Sequence, residues 1–181
     1  MTTPSSFFVS TYYSGTVADK LTRARELYEG QASRLNASPL FQGELARLRH
    51  HALALGNHMQ SMDLGRLCSH CAARPDGGCC SAFMADNTDS MLFLINLLLG
   101  VTVEQRHRVD ENCCFLGPHG CFFLVKPIFC LNYNCKHILE NGAAEQLCEL
   151  DRLAGAVLSQ QTQVENLLLG ALRHHRSDHT P

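Results

Sequence analysis

Cysteine is the residue type that carries chemistry in this chain: of ten in 181 residues, nine fall between Cys68 and Cys135, and only Cys148 stands apart. Cys68 and Cys71 form a C-x2-C pair, Cys79 and Cys80 are adjacent and follow Asp76-Gly77-Gly78, and Cys113, Cys114, Cys121, Cys130 and Cys135 complete the set. Two intervening residues let one turn of backbone aim both sulfurs at a single ion, which is why that spacing recurs in zinc and iron–sulfur sites. Thiolate metal binding is the chemistry to expect, with a disulfide framework or unligated structural thiols as the alternatives. The stretch Met1–Ser14 has no basic segment followed by a continuous apolar one, so it does not read as a secretory signal. That predicts a cytoplasmic protein, and in a reducing cytosol thiols stay reduced.

The order of the cysteines adds to their number. The chain reads Cys113-Cys114-Phe115-Leu116, then Cys121-Phe122-Phe123, then Lys126-Pro127-Ile128-Phe129-Cys130 and finally Cys135. Over residues 68 to 140 this resembles the YkgJ-type family of zinc- or iron-chelating domains. That family's pattern is a cysteine group ending in an adjacent pair, a helical spacer, then C-P-F-L, C-x-I-Y, R-P-x-x-C-R and a last cysteine. Cys114 stands where the family has proline, Lys126 where it has arginine, and Leu131 where arginine follows the third cysteine. The insert between Cys71 and Cys79 is longer than usual. The resemblance implies Cys68, Cys71, Cys79, Cys80, Cys113, Cys121, Cys130 and Cys135 as metal ligands. It also extends to flagellin lysine methylases, which implies as a second function an accessory part in a protein-modifying enzyme.

Eight thiolates exceed what one four-coordinate ion takes, so either two sites form or some cysteines stand behind the ligands. Neighbouring cysteines are expected to point apart, splitting Cys79 from Cys80 and Cys113 from Cys114. Gly77-Gly78 lets backbone N–H groups approach a sulfur, or serves only as a tight turn. Zinc and an iron–sulfur cluster both accept all-sulfur sites; the surplus of thiols tilts the reading slightly toward a four-iron (4Fe-4S) cluster. His70, His119 and His137 lie among the cysteines without the paired spacing of a Cys/His finger and read as polar neighbours. His51 and His58 flank a packing stripe, and His174, His175 and His179 sit at the C-terminus. Cys148, beside an apolar stripe, is expected to be a buried inert thiol. A Cys–His pair such as Cys135 with His137 resembles a nucleophile and base, and nothing orients it.

Helices must carry these loops. Val17, Leu21, Ala24, Tyr28, Ala32 and Leu35 share one face of a first helix, 16 to 36. Phe41, Leu45, Leu48, Ala52, Leu55, Met59 and Met62 keep four-and-three steps along a second, 40 to 65, a seam for packing within the chain or for a homodimer. Thr88 or Asp89 caps a third, 89 to 99, apolar nearly all round and so central to the domain. Its apolar run, Met91–Val103, is interrupted by Asn96 and Gly100 and is shorter than the ~20 residues that span a bilayer. A last helix, 142 to 173, presents Leu147, Leu150, Ala154, Val157, Gln161, Val164, Leu168 and Ala171. Residues 113 to 135 read as loops with one short helical turn.

The fold class expected is mainly α: a small helical bundle, one domain over 1–181, with scaffold at 16–66 and 141–175 and a cysteine-rich, loop-built metal-binding region at 67–140. Net charge is −2, from 15 basic and 17 acidic side chains, so no global field favours nucleic acid or a membrane surface. Phosphate-binding loops, dinucleotide fingerprints, G-x-S-x-G and H-E-x-x-H are absent from the sequence. The function expected is metal binding in a structural, electron-transfer or redox-sensing role, with a helical interaction module locked by structural zinc as a third reading.

Overall fold

The computed structural model describes residues 9–74, 78–104 and 112–177; Asp76, Gly77 and His179 lie outside them. After a single π-helical turn, Val9–Tyr13, helix α1 runs Val17–Asn36. Its start is a reciprocal cap: Asp19 N donates to Thr16 Oγ1 at 3.2 Å while Thr16 N donates to Asp19 Oδ2 at 2.9 Å. Val17, Leu21, Ala24 and Leu35 are buried as the spacing predicts, whereas Tyr28 is exposed. Helix α2, Pro39–Ser61, begins on Ser38, whose hydroxyl accepts from Phe41 N at 3.3 Å, with Pro39 in the first turn, where a missing N–H costs nothing.

The second helix is shorter than its apolar stripe. At Asp63 the backbone turns left-handed, φ 54°, and helix α3 restarts over Leu64–Ala72. Cys68 and Cys71 therefore stand on a helix, not in a loop-built region. Short helix α4, Ala82–Asp86, follows, and then α5, Ser90–Leu98, capped by Asp89 Oδ1 accepting from Leu92 N at 2.8 Å. Gly100, φ +80°, ends it. Residues 90–96 are all buried, so α5 is the element around which the rest packs. The stretch 113–135 is more ordered than loops. It contains a two-residue hairpin, β1 Leu116–Gly117 with β2 Gly120–Cys121, and helix α6, Ile128–Leu131; helix α7, Lys136–Asn141, follows directly. Helix α8 closes the chain over Ala144–Ser177.

Helix α2 packs chiefly on α8, and α1 on α5. Phe41, Leu45, Leu48, Ala52 and Leu55 face Leu150, Ala154, Val157, Val164 and Leu168 across one core, all buried. The α2 seam is thus taken up within the chain. Each such large side chain removed from water contributes about 1.5–3 kcal/mol, which is why periodicity alone defines these helices. Among the described residues no helix is long and apolar enough to cross a membrane.

Two connections tie this core to the cysteine segments. Lys20, only 4% exposed, donates Nζ to Asp86 O at 2.6 Å, fixing the end of α4 on α1. Asn96, fully buried on α5, accepts from Leu124 N at 3.0 Å and Val125 N at 3.1 Å on Oδ1, and donates Nδ2 to Val125 O at 2.9 Å. A polar residue on an apolar helix is thereby satisfied, and it holds the chain that leads into Lys126 and Cys130. Phe93 of α5 completes the floor, its ring 5.4 Å from Phe115 and 5.9 Å from Phe123.

Candidate metal centre

Four separate segments bring the cysteines to one end of the bundle. Helix α3 carries Cys68 and Cys71 on successive turns of the same face. It is held against the hairpin by contact between two glycines. A Cβ on Gly65 would lie 2.1 Å from His119 O, and one on Gly120, φ +101°, would lie 2.8 Å from Gly65 Cα. Ser69 Oγ adds a hydrogen bond to Gly117 O at 2.8 Å. Cys121 follows Gly120 directly, so this close approach sets Cys68 beside it. The second segment joins the third through the backbone: Cys113 N donates to Cys80 O at 3.0 Å, and Ser81 bridges Asn112. Cys130 lies in α6, while Cys135 caps α7 and accepts from Ile138 N at 2.9 Å through its carbonyl.

The result is two adjoining cavities. The larger, about 600 Å³, is lined by Cys68, Cys79, Cys80, Cys113, Cys121 and Cys130. The smaller is lined by Cys68, Cys71, Cys79, Cys80 and Cys135, with His137. All eight residues singled out by their order face one or the other, and Cys68, Cys79 and Cys80 face both. Gly78 has a specific place here, since a Cβ on it would come within 3.0 Å of Cys71 Sγ. Cys114 is 3% exposed within the apolar core, so the Cys113-Cys114 pair does split.

Cys79 and Cys80 do not split. The bend after Gly78 places both thiols together, and Cys80 holds its proton between Cys68 and Cys79. Those two hydrogen bonds keep Cys80 protonated far above the ordinary range. The same contact stabilises the opposite charge state in its partners: Cys68 is lowered, and Cys79 falls from the ordinary 9.0 to about 6. Burial works the other way on Cys121, pushed up to about 11. Cys130 is exposed as a residue, yet its thiol faces the cavity, and desolvation there raises it to about 12. Lys126, on the larger cavity, opposes these upward shifts in Cys121 and Cys130 and lowers Cys68.

A pH experiment on the metal-free protein follows from this order. Since the thiolate is the nucleophile, iodoacetamide at pH 7 should modify Cys79 first and leave Cys121 and Cys130 for last. Below pH 6 its rate should fall by about tenfold per pH unit, as the thiolate is protonated. Peptide mapping after a short pulse checks it, and preferential labelling of Cys130 would overturn the charge distribution described.

Other sequence expectations fare differently. Cys148 is exposed, not buried: it lies one position off the stripe that Leu147 and Leu150 define, and on a helix one position turns a side chain about 100° from its neighbour. His119 lines the larger cavity, His137 the smaller, and His70 is exposed. His58 Nε2 pairs with Gln146 O at 2.9 Å, joining α2 to α8. His174 and His175 lie on α8, where their side chains are outside the description.

The donor set suits a soft metal by its chemistry, because it is all sulfur. As placed, however, no three His, Cys, Asp or Glu side chains among the described residues form a group that could hold a metal ion. No disulfide joins the ten cysteines. In comparisons with known proteins, no family model, no curated protein and no solved structure matches the chain.

Proposed function

We propose that this chain is a metal-binding protein in which cysteine thiolates hold an iron–sulfur cluster, with a four-iron type slightly favoured, or zinc. What supports the reading above all is convergence: eight cysteines from four segments line two cavities that share Cys68, Cys79 and Cys80. The resemblance of residues 68–140 to YkgJ-type chelating domains points the same way. Cys113, Cys121 and Cys130 with Cys68 would hold one centre, since each lies in the electrostatic field of another of the set. Cys71, Cys79 and Cys135 form the second neighbourhood. Lys126 would offset the negative charge of the first. An iron–sulfur cluster would supply one-electron chemistry there, whereas zinc would lock the loops to the bundle.

Anaerobic purification followed by metal analysis and visible spectroscopy tests the proposal. Bound iron with sulfide and a visible charge-transfer band, or bound zinc in a colourless protein, is expected. Cys130→Ser and Cys135→Ser should each lower bound metal severalfold, while Cys148→Ser should leave it unchanged. A Cys148→Ser variant that loses metal as fully as Cys130→Ser would sink the assignment of ligands, and metal-free protein from every preparation would sink the function.

A further inference from the structure

Away from the cysteines, two carboxylates from different helices meet beside the turn Val9–Tyr13. Asp89 caps α5, its Oδ1 accepting from Leu92 N at 2.8 Å, and Glu165 of α8 lies close enough for the two charges to repel. The turn packs on α1 and α5, and Tyr13 reaches across to α8, where its hydroxyl donates to Glu165 Oε1. Arg23 of α1 donates to Thr11 O, and Tyr12 is buried in the core. The turn thus bridges the three helices that surround the carboxylates.

Little in this neighbourhood offsets two negative charges. From α1 the charged group facing Asp89 is Lys20, whose Nζ already donates to Asp86 O at 2.6 Å. From α8 it is Glu165, and from the turn Tyr13, which burial and both carboxylates keep neutral. Ser90 Oγ, on the neighbouring residue, is buried with no hydrogen-bond partner among the described residues, so it donates to neither carboxylate. Removal from water, reinforced by Glu165, pushes Asp89 from 3.8 up to about 6, against the pull of the Leu92 N–H and Lys20. A five-residue turn held by two side-chain hydrogen bonds and a buried ring is the least costly of these elements to lift, and lifting it from α5 lets water reach the cap.

We infer that Val9–Tyr13 is a pH-sensitive strap, closed over Asp89 and Glu165 in acid and lifting when both carry charge. A carboxyl that holds its proton more tightly in the closed state than in the open one favours closure fully below about pH 3.8, and that contribution is lost as the pH rises through about 6. The strap goes beyond metal binding and does not depend on it, since Asp89, Glu165 and Tyr13 line neither cysteine cavity.

Hydrogen exchange of the amides of residues 9–16, measured on the full chain as purified and corrected for the intrinsic rate at each pH, reads the opening of the strap. Between pH 4.5 and 7.5 the opening constant should rise about 30-fold, the value for a carboxyl that returns to its ordinary range on opening. Asp89→Asn keeps an oxygen for the cap and removes the charge, so its opening should stay low and flat across that range. Glu165→Gln keeps an acceptor for Tyr13 and removes the facing charge, so its rise should be smaller and its midpoint lower. A rise below tenfold in the unsubstituted chain, or an unchanged profile in either variant, overturns the strap. The two substitutions stand on different helices, so failure of one to fold leaves the other to decide. Metal content of the same samples is a separate readout, so loss of the metal reading and loss of this one are distinguishable.

Discussion

Asn96→Leu is expected to lower the thermal midpoint by about 10–20 °C, a larger effect than any other single change in the core predicted here. The direction is not obvious from the sequence, because Asn96 sits on a helix whose residues 90–96 are all buried, and leucine there would add apolar area. Hydrogen bonding decides the sign. The substitution leaves the N–H groups of Leu124 and Val125 and the carbonyl of Val125 without the amide they now share. Each unpaired buried group costs about 1–3 kcal/mol, while burying a leucine returns only about 2 kcal/mol. The net loss is about 1–7 kcal/mol, with a middle value of about 4 kcal/mol, a large share of the ~5–15 kcal/mol that keeps a domain folded. Thermal and urea unfolding followed by circular dichroism measures it. The consequence should also reach the cysteines, since Val125 is five residues before Cys130, and bound metal should fall with stability. A variant as stable as the parent would mean that the 124–125 backbone finds other partners and that Asn96 does not hold this segment.

Asn96 also marks where the sequence is legible and where it is not. Its presence in an otherwise apolar run is visible at once, and a buried amide must have partners. Which partners is a matter of chain folding, because Leu124 and Val125 are 28 and 29 residues away. The same division holds elsewhere. The stripes of α1, α2 and α8 and the all-apolar α5 were readable because burial imposes a period of 3.6 on residues that follow one another. The break between α2 and α3 is not, since Asp63 adopts a left-handed conformation without the glycine that usually signals one, and the apolar steps continue to Met62. Read from spacing alone, Cys68 and Cys71 open a loop region, whereas they ride on a helix. Cys148 was misplaced by a single position, which on a helix exchanges core for solvent. The eight cysteines that the family resemblance singles out all line the cavities. Their order could not show that Cys80 would touch both Cys68 and Cys79, because a bend after Gly78 overrides the alternation expected of neighbours. Thr88 was readable only as a candidate cap; its place on a cavity wall depends on segments far away in the chain.

The second large effect concerns a residue that contributes no side chain at all. Gly65→Ala should destabilise the protein by several kcal/mol and strip bound metal, although it changes no cysteine and introduces the residue with the highest helix propensity. Within an exposed helix, glycine to alanine gains about 1 kcal/mol. At Gly56 of α2, where a Cβ meets nothing within 4 Å, Gly56→Ala should show that gain. At Gly65 the new methyl would lie 2.1 Å from His119 O and 2.8 Å from His119 C, and both are backbone, so no rotamer can relieve the clash. Helix α3 or the hairpin must move. Moving them is resisted by Ser69, whose hydroxyl bonds Gly117 O, and by the closeness of Gly120, on which a Cβ would itself lie 2.8 Å from Gly65 Cα. The displacement acts directly on the candidate centre, because Cys68 is one turn beyond Gly65 on the same helix face and Cys121 follows Gly120. Comparing Gly65→Ala with Gly56→Ala by thermal unfolding and metal analysis separates packing from propensity. If both gain stability and both keep their metal, the contact between α3 and the hairpin does not position the thiols; if only Gly65→Ala loses both, the approach of two glycines is what brings the first cysteine pair to the third.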